Sequence, residues 1–165
     1  MRLKALFISS LVACGGTSPQ GHATSSGTIG GFAFSATEAW LSSSSVVIST
    51  QAGDCPKLSG GPNETELALV FPPKFAAGNG TFQIADLSQD TTKGAVFYIV
   101  NDAKGDPVVG MVPQASTGST GTVTITSNNA QAADGTFDLS LGNKRSDGTI
   151  LNDHVTGTFH AVHCK

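Results

Sequence analysis

Period-two alternation of apolar and hydroxyl-bearing residues is the feature that most restricts how this chain can fold. Val123 and Ile125 alternate with Thr122, Thr124 and Thr126. Phe137, Leu139 and Leu141 alternate with Asp138 and Ser140, and Val155, Gly157, Phe159 and Ala161 alternate with Thr156, Thr158 and His160. Successive side chains of a strand point to opposite faces, so each run has one apolar and one polar face, the pattern of antiparallel sheet with one wet side. From Thr28 onward no stretch of useful length carries the helical period. Two runs, Glu-Leu-Ala-Leu-Val-Phe at 66–71 and Ala-Val-Phe-Tyr-Ile-Val at 95–100, are apolar after their first positions and predict central strands covered on both faces. Val46, Val47 and Ile48 predict a shorter strand, and residues 29–41 another, with Gly30-Gly31 as a bulge or bend. Turn chemistry stands between the runs at Asn79-Gly80, Lys104-Gly105-Asp106, Asp134-Gly135 and Asp147-Gly148.

A short echo recurs along the chain: Gly80-Thr81-Phe82, Gly121-Thr122-Val123, Gly135-Thr136-Phe137 and Gly157-Thr158-Phe159. Three residues are too few for a solenoid repeat. The echo reads as a strand opening, with Gly for the turn, Thr facing out and the apolar residue facing in. The expected fold is all-β, an antiparallel β-sandwich or partly closed barrel of about 8–9 strands. Its domain is expected over residues 28–165. Only 13% of residues are charged, about half the usual share, and hydroxyls fill the polar positions instead.

The first 14 residues follow a different pattern. Arg2 and Lys4 precede an apolar stretch from Ala5 to Val12, and the small Ala13 stands directly before Cys14. This is the architecture of a secretory signal and is shorter than the roughly 20 apolar residues a spanning helix needs. Leu11-Val12-Ala13-Cys14 resembles the lipobox of bacterial lipoproteins. The resemblance implies a signal peptide over 1–13, cleavage before Cys14 and lipid on its sulfur. Residues 14–27, rich in Gly, Ser and Thr, are then expected to form a flexible lipidated tether. Gly15 after the cysteine, where Asp would resemble an inner-membrane retention signal, points to the outer membrane. Without Arg2 and Lys4 the mature chain carries 7 basic and 12 acidic side chains. That balance argues against nucleic acid as a partner and leaves the lipid as the route to the membrane. The "GTF" strands and the His-Cys near the chain's end also resemble the closing strands of small uncharacterised bacterial lipoproteins, which implies a β-sandwich and brings no activity to carry over.

Cys55 and Cys164 remain. In an oxidising compartment they are expected to form a disulfide, closing a loop of about 110 residues worth about 4 to 5 kcal/mol in the chain-entropy model. The other chemistry-bearing residues point nowhere strongly. His154, His160 and His163 alternate in facing or lie too far apart for one metal ion. Asn101, Asp102 and Asp106, and Asp147, Asn152 and Asp153, lack the spacing of a calcium loop and suit backbone hydrogen bonds in turns. Asn63-Glu64-Thr65 and Asn79-Gly80-Thr81 match the glycosylation pattern, for which a bacterial lipoprotein gives no expected use. Trp40 is the one aromatic that could serve as a sugar or peptide platform, while Tyr98 sits in a core-like strand. No nucleophile elbow, zinc-protease motif or phosphate loop is present. No catalytic residue, metal or cofactor is therefore expected. The expected role is a non-enzymatic structural or interaction module of the envelope, with a surface ligand-binding or hydrolytic module as the alternative.

Overall fold

A computed structural model of the chain describes residues 20–52, 61–72, 79–85, 92–111, 118–144 and 149–163. Cys14, Cys55 and Cys164 lie outside the described residues, as do Asp147 and Gly148. The described residues form eleven strands: β1 (His22–Ile29), β2 (Phe32–Ala33), β3 (Glu38–Leu41), β4 (Ser45–Ser49), β5 (Thr65–Val70), β6 (Gly80–Ile84), β7 (Ala95–Asn101), β8 (Pro107–Met111), β9 (Thr120–Asn128), β10 (Ala132–Lys144) and β11 (Ile150–His163). The chain is all-β. Nine strands run in the order β6-β9-β10-β11-β3-β4-β5-β7-β8 and curl into a half-barrel, with β1 paired to β11 and β2 to β1. The sheet is mixed because β11 and β3 pair in parallel, Val162 beside Trp40 and His163 beside Leu41.

The alternation explains the packing. Val123, Ile125, Phe137, Leu139, Leu141, Val155 and Phe159 line the inner face of β9, β10 and β11, and their hydroxyl-bearing neighbours face out. Leu41, Val46, Ile48, Leu67, Leu69, Val96, Tyr98 and Val100 of the other half join the same core. In β5 every residue from Thr65 to Leu69 is buried, whichever face it points to, as expected of a strand covered on both sides. The two halves meet again at β6 and the approach to β7. There Gly94 N donates to Gln83 O (2.9 Å) and Ala85 N donates to Gly94 O (3.0 Å).

Four sequence expectations change. Residues 22–27 belong to β1 and not to a tether: His22 to Gly27 pair antiparallel with His160 to Val155 of β11. Ala23 and Ile29 enter the core while the rest of the strand stays polar. Pairing with a neighbour, not its own apolar content, makes this segment a strand. Residues 29–41 are not one strand: Ile29 ends β1, β2 and β3 follow, and Gly30-Gly31 is the bend, a two-residue hairpin turn. Ile29 faces Phe32, and both glycines have positive φ (64° and 82°), the requirement of the turn type that matches strand twist. Asp134-Gly135 lies inside β10 at a register shift against β9; the turn before it is made by Asn129, whose Oδ1 accepts from Gln131 N (2.8 Å) and Ala132 N (3.0 Å). Lastly, two of the Gly-Thr-Phe echoes are not strand openings. Gly135 pairs with Phe159 and Phe137 with Gly157, so each aromatic ring lies over the glycine of the neighbouring strand.

Candidate functional site

Once the strands are in register, their polar faces combine into one surface. Thr24 of β1 pairs with Thr158 of β11, which pairs with Thr136 of β10, then Thr124 of β9 and Thr81 of β6. One row of five threonines thus crosses five strands. The adjoining row is Ser26, Thr156, Asp138, Thr122 and Gln83. Neighbours within a row stand about 4.8 Å apart and the rows about 6.6–6.8 Å apart, the spacings of a pleated sheet. Lateral hydrogen bonds couple Thr24 to Thr158 (2.8 Å), Thr81 to Thr124 (2.9 Å) and Ser26 to Thr156 (3.3 Å). Threonine is stiff at χ1, so these hydroxyls are held by the strands beneath them.

Imidazole and carboxylate groups flank the rows. His160 Nδ1 lies 2.6 Å from Asp134 Oδ1, and His22 stacks on His160 with ring centroids 5.2 Å apart. The hydrogen bond from His160 holds the Asp134 carboxyl below the usual carboxylate range, with Ser127 and the charge of the histidines adding to it. His154 Nε2 lies 2.8 Å from Asp138 Oδ1. Ser140 is the register partner of His154, which brings a serine, a histidine and an aspartate close together. His154 and Asp138 are 61% and 65% exposed, so this is a solvated surface contact.

The other residues singled out by sequence are placed as follows. His163 ends β11 beside Leu41, away from His154. Among the described residues no three His, Cys, Asp or Glu are grouped so as to hold a metal ion. Asp102 Oδ1 accepts from Lys104 N (2.7 Å) and Asp106 N (3.0 Å), which builds the β7–β8 turn. Asp153 is buried and accepts from Thr28 Oγ1 (2.5 Å) and Gly31 N (3.1 Å), fastening the tip of the β1–β2 hairpin to β11. Asn152 lines a shallow depression of about 300 Å³ with Ser140, Gly142 and His154. Trp40 is half-buried within the sheet, between Val47 and Val162, and is not an open platform. Tyr98 is a core residue whose burial, with the nearby Asp153 charge, pushes its hydroxyl up to about 12.

The threonine rows are not legible in the sequence as one surface, because each strand shows only its own polar face. The echoed Gly-Thr pairs were their one visible sign: Thr81, Thr122, Thr136 and Thr158 all stand in the two rows. No protein-family model, curated protein or solved structure matches the chain.

Proposed function

We propose that this chain is a lipid-anchored protein of the cell envelope that acts without catalysis, presenting the outer face of β1, β11, β10, β9 and β6 to a partner. One observation carries the reading: two complete rows across five strands contain no apolar side chain, while the apolar residues at alternate positions, Ala23, Val155, Phe159, Phe137, Leu139, Val123, Ile125, Phe82 and Ile84, enter the core. A face of stiff, laterally bonded hydroxyls is preorganised for a polar partner and loses little side-chain entropy on contact. The lipobox at Leu11 to Cys14 supplies the anchor. Because β1 begins at His22, seven residues separate Cys14 from the sheet. Fully extended they reach about 25 Å, so the lipid would hold the domain close to the bilayer.

The test is a photo-reactive residue placed in turn at Thr136 and Thr124, and at the exposed Lys104 as control, followed by irradiation of intact envelopes. The same discrete adduct from both threonine positions and none from Lys104 is expected. Adducts from Lys104 with none from either threonine would show that another surface makes the contact.

A further inference from the structure

On the side of β4, β5 and β7 that faces away from the core, a group of polar side chains holds more acceptors than donors. Ser49 Oγ donates to Glu64 Oε1 (2.6 Å), and Gly61 N donates to Glu64 Oε2. Asn101 Nδ2 donates to Gly61 O (3.2 Å), and Asn101 N donates to Glu64 O (2.9 Å). Glu66, two residues along from Glu64, is the register partner of Ser49. Glu66 is 2% exposed and Asn101 5% exposed, yet Glu66 Oε2 and Asn101 Oδ1 are both buried with no hydrogen-bond partner. The amide orientation of Asn101 follows from its bond to the Gly61 carbonyl, which only the nitrogen can make. Two enclosed acceptors therefore stand without donors beside a second carboxylate.

Among the described residues no Lys, Arg or His pairs with Glu64 or Glu66. Glu38, on the far side of Ser49 in the same row, is bonded by Gln20 Nε2. Buried acceptors are normally matched, and a buried carboxylate is matched by a cation, a donor or a proton. One proton on Glu66 provides one donor and leaves the charge of Glu64 in place. A divalent cation neutralises both carboxylates and takes the amide oxygen as well.

We propose that Glu64, Glu66 and Asn101 form a binding site for a hard divalent cation of the calcium class, with two carboxylates and one amide oxygen as protein ligands and water completing the shell. Calcium accepts about six to eight oxygen ligands in flexible geometry, which suits three side chains on adjacent strands and the turn before one of them. Without an ion, burial pushes the Glu66 carboxyl up to about 7 and the neighbouring Glu64 charge adds to the push, so an ion would bind in competition with a proton.

The experiment uses the full chain freed of metal with a chelator at about pH 8, where the carboxylates are largely ionised. Calcium chloride, and magnesium chloride as comparison, are titrated by calorimetry and by thermal melting. Saturable binding of calcium, with a Tm raised by several degrees, is expected in the native chain. Glu66→Gln should abolish both effects, Glu64→Gln should weaken binding at least tenfold, and magnesium should bind more weakly. If Glu66→Gln does not fold, the half-buried Glu64→Gln carries the test alone. No saturable heat and an unchanged Tm in the native chain would overturn the proposal and leave a proton as the occupant. A calcium response equal in the native chain and in whichever variants fold would overturn it too.

Discussion

Phe137 and Phe159 occupy space that exists only because Gly157 and Gly135 have no side chains. A Cβ on Gly157 would lie 2.5 Å from the Phe137 ring and 2.3 Å from the carbonyl oxygen of Thr24. The ring could turn, but the backbone of β1 cannot yield without loosening its pairing with β11. Gly157→Ala is therefore expected to cost about 1–3 kcal/mol, and Thr158→Ala, one position away on the exposed face, within about 0.5 kcal/mol. Urea midpoints of the two variants measure the difference. Glu66 gives a second expectation at this level. Its folded-state pKa, raised from 4.5 to about 7, means that the fold favours the neutral acid. Stability from this group is fully present below about pH 4.5 and is lost as pH rises through about 7, a span of about 3 kcal/mol in the absence of divalent ions. Denaturant melts at about pH 5 and pH 8 in chelator should show the loss, and Glu66→Gln should flatten it. A slope unchanged in that variant would place its source elsewhere.

β1 shows how little apolar content a strand needs when a neighbour supplies the pairing. Of its eight residues only Ala23 and Ile29 are buried. It nonetheless covers the edge of β11 from Val155 to His160 and extends the threonine row by one strand. The amides of a paired strand exchange slowly only if the ladder holds, so β1 is expected to show protection approaching that of β11. Protease treatment of the folded chain should stop before His22. Cleavage within residues 22–27 at a rate typical of loops would show that β1 opens on its own. A chain beginning at Thr28 would leave the β11 edge bare and remove Ala23 from the core, and it is expected to lose cooperative unfolding.

The parallel pairing of β11 with β3 sets the direction in which the chain leaves the sheet. β4 runs antiparallel to β3, so β4 exits at the end opposite to the exit of β11. The strands leading to Cys55 and Cys164 are thus two places apart in the sheet but point away from each other. A disulfide requires the residues after Ser49 to double back along the sheet until the two α-carbons come within about 7 Å. We propose that the bridge forms. Non-reducing peptide mapping should recover Cys55 joined to Cys164, and two free thiols in oxidised material would refute the pairing. The proposed anchor has its own test: Cys14→Ser should abolish fatty-acid labelling and leave an uncut precursor, and normal labelling of that variant would refute the lipobox reading.

The all-β class, the inner and outer residues of β9, β10 and β11, and the doubly covered β5 follow from the chain alone, because strand periodicity is a local property that side-chain alternation records directly. The β1 strand, the mid-strand glycines beneath Phe137 and Phe159, and the half-barrel curl required the fold. So did the alignment of Thr24, Thr158, Thr136, Thr124 and Thr81 into one row, and the approach of Asn101 to Glu64. Each of these depends on register between segments far apart in sequence. A shift of one residue would turn every threonine inward, and nothing within a single strand specifies which neighbour it meets or at what offset. Burial of the apolar faces against each other selects that offset, and the polar rows on the outer surface follow from it.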